Sequence, residues 1–287
     1  LIDIVVQALV NGLVSGTLLA VPAIGFTAMF AVLRFPNFAV SGIATLGAFA
    51  GYLAYGAGLQ MAGSLAVAFI VAGAAGLLFD ELAHLPLVKQ GALPAAIASI
   101  ASGLVLENIV RLGFGNDPRG YDRPIARDIR LGDIRVSPQQ LETMGLALAL
   151  MLGVFAILAF TRIGKAMRAS ADNPDLASLK GIRPERIAMV ASFAGMGLVG
   201  VGGMLLGLDS SIDPLTGTRI LLSLFAAAVL GGLGSVPGAV LGAFLIGIAE
   251  ELSVLAVGSQ YRAAVGFVAI LAMLTLRPRG LLGERAY

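Results

Sequence analysis

"RASADNPDLASLKGIRPER" (168–186) is the most polar run in the second half of the chain, and it stands between two stretches too apolar for water. Asn173 is a good N-cap, because its side-chain oxygen can accept from a free N–H of a first helical turn. Pro174 suits the first helical position, where its missing N–H costs nothing, and Asp175 favours the positive end of the helix dipole. The helix runs on through Leu176, Ala177, Ser178 and Leu179 and stops at Gly181, with Lys180 in the last turn where a cation is favourable. These signals predict one helix of about two turns, flanked by basic residues and lying along a membrane surface. A helix this short is not stable alone, so something must pack on it. Two readings are open at this level: a capped connector, or a knob that docks a partner through Leu176 and Leu179.

Outward from that segment the chain is apolar in both directions. Hydrophobic residues make up 58% of its 287 residues and charged ones 13%, about half the share found in soluble domains. Apolar runs near the ~20 residues that a helix needs to cross a bilayer recur along the chain. They lie near 10–33, 39–57, 63–79, 93–110, 143–160, 188–208, 220–231, 237–256 and 262–276. The expected fold is therefore all-α: a single polytopic membrane domain over 1–287, with about eight or nine transmembrane helices. The segment 220–231 is short, and "GGLGSVPGA" (231–239) breaks any helix through it, so this part is a ninth crossing or half of a broken, re-entrant helix. Many of the 38 glycines fall inside the runs, as in "GLVGVGGMLLG" (197–207), where small residues let helix backbones approach closely. A weak echo links "VSGIATLGAFAGYLA" (40–54) to "VPGAVLGAFLIGIAE" (236–250).

Loop cations set the orientation. With 161–187 on the cytoplasmic side and 220–231 counted as a crossing, Arg34, Lys89, Arg162, Lys165, Arg168, Lys180, Arg183, Arg186, Arg277, Arg279 and Arg285 fall inside, eleven of nineteen. The loop 112–142 then lies outside. There Arg119, Arg123, Arg127, Arg130 and Arg135 alternate with Asp117, Asp122, Asp128 and Asp133, which reads as a folded extracytoplasmic cap or short hairpin. Nothing near Leu1 has the basic and small-residue features of a signal peptide.

Composition also removes function classes. With no cysteine there is no disulfide, thiolate metal site or cysteine nucleophile. The one histidine, His84, reads as a loop residue and cannot build a metal cluster or a triad by itself. Neither a metal nor a cofactor is expected. The net charge of +2 forms no basic stripe, so nucleic acid is not an expected partner. Gly164 and Lys165 lack the upstream glycine and following hydroxyl of a phosphate loop, and no strand precedes "GGLGS" (231–235), so the chain itself should not bind ATP.

Several pieces together resemble the inner-membrane permeases of branched-chain amino acid ABC importers, the LivH-like member of the LivH/LivM pair. They are "NGLVSGTLLAVPAIGFTAMFAVLRFPNFA" (11–39), "IGKAMRASADNPDLASLKGIRPERI" (163–187), "GMGLVGVGGMLLG" (195–207), "AAAVLGGLGSVPGAVLGAFLIGIAE" (226–250) and "LRPRGLLG" (276–283). The resemblance implies a multi-pass protein of the bacterial inner membrane. It implies as partners a second, LivM-like permease, two ATP-binding subunits, a periplasmic solute-binding protein and the lipid membrane. It also implies that Asn173 through Gly181 form the cytoplasmic coupling helix gripped by the ATPase, which favours docking over connection. The solute implied is a branched-chain or related hydrophobic amino acid. One departure stands out: the family's usual N-F-A-H-G-E becomes Asn37, Phe38, Ala39, Val40, Ser41 and Gly42 here, losing a histidine and a carboxylate. That leaves room for an amide, urea-like or aromatic solute.

Polar residues within the spans are Asn11, Asn37, Ser41, Ser99, Ser102 and Asn108, and of these Asn37, Ser41 and Asn108 are the candidates for a substrate path. Glu107 and Arg111 stand four apart in the favourable order for a helical ion pair. Glu250 and Glu251 have no cation within one turn along the sequence. An enzyme is not expected, for want of a nucleophile and base. An ion-coupled secondary transporter is the rival, and it needs buried carboxylates near the midplane.

Overall fold

The computed structural model describes residues 2–88, 90–123, 127–131 and 134–283. Lys89, Asp133 and Arg285, together with the Arg130 side chain, lie outside the described residues. Twelve α-helices are described: α1 (Ile2–Leu33), α2 (Val40–Gly56), α3 (Met61–Phe79), α4 (Leu85–Val88), α5 (Ala92–Phe114), α6 (Pro138–Phe160), α7 (Arg162–Asp172), α8 (Pro174–Leu179), α9 (Pro184–Asp209), α10 (Thr216–Gly231), α11 (Val236–Val257) and α12 (Arg262–Leu276). A π-helical turn, Asp80–His84, joins α3 to α4, and a 3₁₀ turn, Ser259–Tyr261, leads into α12. Among the described residues, seven helical segments are long and apolar enough to cross a membrane, and α2 and α10 are apolar but shorter. All nine expected runs are thus helices, as the all-α polytopic reading requires.

The centre of the bundle is α1, lined on one side by α11 and on another by α9, with α2 and α3 packed on α9 in turn. Glycine makes these approaches possible. A Cβ on Gly47 of α2 would lie 2.2 Å from the Gly200 Cα of α9, so neither position has room for a side chain. With lipid as apolar as the helices themselves, such close backbone contact is what holds them together.

Contacts sort the loops to two faces. Gln7 at the start of α1 exchanges hydrogen bonds with the Arg135 backbone at 2.8 and 2.9 Å, which puts the N-terminus beside the 112–142 loop. At the other end of α1, Arg34 donates to the Ala171 carbonyl, which puts that end beside 161–187. The tail joins this second face, since Leu281 and Leu282 donate their N–H groups to Leu230 and Gly231 at the end of α10. The loop 112–142 contains the expected hairpin, β1 (Ile129–Leu131) paired antiparallel with β2 (Ile134–Val136). Tyr121 pins that loop down by donating to the Ala48 carbonyl at 2.7 Å, and burial pushes its phenol well above the ordinary pKa.

The expected break near 220–240 is present: "GGLGS" is a tight turn at the face shared with Ala31 and the tail, between two helices that form an antiparallel hairpin. Two features differ from the expectation, and the first is an interruption at 34–39. There α1 ends with Arg34 in a left-handed conformation (φ 60°) and Pro36 restricts Phe35 to extended geometry. The chain re-enters so that α2 begins with Gly42 against Gly103, the midpoint of α5. Likewise α10 begins with the Gly217 N–H donating to Thr45 Oγ1 at 2.9 Å. Both short helices therefore start within the bundle, where broken backbone is tolerated only if its polar groups are satisfied. The second difference is α7, an amphipathic helix within 161–187, where a single short helix was expected. Cations on its outer side had masked a buried stripe of Gly164, Met167 and Ser170.

Candidate functional site

Thr161 Oγ1 caps α7 by accepting from the Gly164 N–H at 3.2 Å, and Asn173 Oδ1 caps α8 by accepting from the Leu176 N–H at 2.9 Å. Pro174 is the first residue of α8. Gly181 ends it in the left-handed region (φ 83°), with its N–H on the Ser178 carbonyl and that of Ile182 on Ala177. Ser178 Oγ donates to the Asp175 carbonyl at 2.7 Å. Ala177 alone of the helix is buried, against α7 and α9. Asp175 and Lys180 point to solvent, and Leu176 and Leu179 are 55% and 83% exposed. Two large apolar side chains thus stand out on a rigid, doubly capped knob, and α9 begins at Pro184, immediately beyond it.

The interruption at 34–39 gathers the buried polar residues. Asn37 Oδ1 accepts from the Ala39 N–H at 3.0 Å, a side-chain turn that starts α2. Its Nδ2 donates to Asp80 Oδ1 at 3.0 Å. Asp80 Oδ1 lies 2.5 Å from His84 Nδ1, Asp80 Oδ2 accepts from Ser192 of α9, and His84 Nε2 lies 3.1 Å from Ser102 Oγ of α5. The Phe38 N–H donates to Ser99 at 2.9 Å, while Ser41 Oγ donates to the Phe38 carbonyl at 3.2 Å. His84 is fully buried, not in a loop. The π-helical turn continues α3 inward and holds Asp80 and His84 on its buried side, a widening that periodicity does not reveal. Asn37, Ser99 and Ser102 therefore meet in one network, Ser41 sits half-buried at its edge, and Asn11 pairs separately with Gln7.

Asn108 lies apart, on the exposed side of α5. Next to it, Glu107 accepts from Arg111 at 2.8 Å, the expected pair, and also from Thr218 of α10 at 3.0 Å. Arg219 pairs with Asp213 just before α10. Glu250 accepts from Ser223 at 2.5 Å, and Glu251 pairs with Arg262, a cation eleven residues away that no helical spacing points to. No group of three or more potential metal ligands occurs among the described residues.

Residues 8–276 match the family described as the branched-chain amino acid transport system permease component. The chain is 30% identical, over 97% of its length and 95% of the relative's, to the high-affinity branched-chain amino acid transport system permease protein BraD of Pseudomonas aeruginosa. Identity is 29%, with the same coverage, to the corresponding LivH protein of Escherichia coli. The probable branched-chain amino acid transport permease protein LivH of Methanocaldococcus jannaschii is 28% identical over 95% of this chain and 91% of its own. Among solved structures, PsaBC from Streptococcus pneumoniae in complex with Fab superposes with a TM-score of 0.50 at 15% identity, covering 94% of this chain and 91% of that one. That likeness is one of fold.

Proposed function

Because the chain belongs to the branched-chain amino acid transport permease family, we propose that it is the membrane-spanning subunit of an ATP-driven importer of branched-chain or related hydrophobic amino acids. Its partners in this reading are a second permease, two ATP-binding subunits on the face that carries α7 and α8, and a solute-binding protein on the opposite, periplasmic face of the inner membrane. The observation that carries the reading is the exposure of Leu176 and Leu179 on a capped knob at the base of α9. A motor that grips the knob moves α9, and α9 is tied through Ser192 and Asp80 to the start of α2. Transport is then a shift between two packings driven by differential contacts.

The buried carboxylates Asp80, Glu107 and Glu250 supply what an ion-coupled carrier would need. Each is held by a fixed partner, but proton or sodium coupling remains the reading to test against. Proteoliposomes decide between them. Holding the chain with the second permease and the two ATP-binding subunits, they should take up L-leucine only with binding protein and ATP, and the chain alone under a proton or sodium gradient should take up none. Gradient-driven uptake by the chain alone would overturn the importer reading.

A further inference from the structure

Charged side chains on the flank of a membrane bundle and away from the helix ends are costly in lipid, and such residues almost always face a water-filled cavity or protein. One such strip exists where α5 meets α10. Asn108 and Thr218 are exposed, and the side chains of Arg111 and Arg219 are 36% and 61% exposed. Glu107 joins the two helices, accepting from Arg111 with one oxygen and from Thr218 with the other. Depth follows from counting. Glu107 stands seven residues before the end of α5, about 10 Å below it at ~1.5 Å per residue, within a segment apolar enough to cross the bilayer. Since α10 itself begins inside the bundle, Thr218 and Arg219 are submerged with it.

The charges of the strip cancel in pairs, Glu107 with Arg111 and Asp213 with Arg219. In each pair the arginine is the exposed partner and the carboxylate lies buried behind it, so each pair sets a cation at the surface of the strip with its acid beneath. A solute with one ammonium and one carboxylate can exchange partners with such pairs at no change of net charge, whereas a singly charged solute leaves one side of the exchange unmatched. We propose that the strip formed by Glu107, Asn108, Arg111, Thr218 and Arg219 lines the translocation path and takes the zwitterionic head of an amino acid. This inference rests on the permease reading and gives that reading a location.

The absence of cysteine makes the test direct. In the assembled transporter in right-side-out vesicles, Asn108→Cys and Thr218→Cys are treated with a membrane-impermeant, charged methanethiosulfonate. The control is Leu152→Cys on the exposed, lipid-facing side of α6. Both strip positions should react at least tenfold faster than the control. In the same assembly, Glu107→Gln should slow L-leucine uptake at least fivefold with the ATPase rate stimulated by binding protein unchanged. Labelling at the control rate, uptake equal to the parent's, or joint loss of uptake and ATPase activity would each overturn the assignment. The labelling rates require no coupling to ATP, so a water-lined strip in a chain that fails the proteoliposome test would refute the importer reading and leave the strip standing.

Discussion

Asp80 is the residue on which the interior turns, since it holds Asn37, His84 and Ser192, and thereby the re-entrant turn, the π-helical turn and α9. All four side chains are buried, so each loses its partner with no water to replace it. Replacing Asp80 by Ala should destabilise the protein by about 3 kcal/mol, read as a fall in melting temperature in detergent, while Glu81→Ala, exposed on the same turn, should leave it unchanged. Equal melting of the two variants would show that the network contributes nothing. These partners were hidden in the sequence: Asn37, Asp80, His84 and Ser192 span more than 150 positions and share no local motif. Glu107 with Arg111 was legible because its spacing is helical, whereas the third partner, Thr218, comes from a different helix.

Helices were legible where apolar length, caps and breakers agree, and they agree at nearly every span. Asn173, Pro174 and Gly181 marked α8 to within a residue. What escaped was depth, because α2 reads as an ordinary span while its first turn sits at the middle of α5. A break at 34–39 and a break at 232–235 look alike along the chain; only tertiary contact places one within the bundle and the other at its face. The face turn is secured by the tail, whose Leu281 and Leu282 N–H groups satisfy carbonyls at the end of α10. Gly280 makes this docking possible: it is left-handed (φ 77°), and a Cβ on it would lie 2.3 Å from the Gly232 Cα. Gly280→Val should therefore release the tail, at a cost of about 1–3 kcal/mol, and raise the rate of its removal by carboxypeptidase at least tenfold in detergent. An unchanged rate would mean that the tail is held by something other than this turn.

At the scale of the molecule, two faces and one exposed, capped knob describe the protein. The hairpin loop, the N-terminus and the start of α12 lie toward one face; the α7–α8 knob, the α10–α11 turn and the tail form the other. The knob is continuous with α9, α9 packs along α1, α2 and α3, and the strip at α5 and α10 lies beyond α2. A push at the knob thus has a packed route to the polar flank. The central claim is that a motor protein grips the exposed leucines of α8 and works the bundle through them. The most direct measurement is the amount of ATPase that co-purifies with a Leu176→Asp, Leu179→Asp double variant. Both side chains are exposed, so the variant should fold with unchanged melting temperature. The ATPase should be lost from the purified complex, and L-leucine uptake with it. Full retention of the ATPase on a folded double variant would contradict the claim.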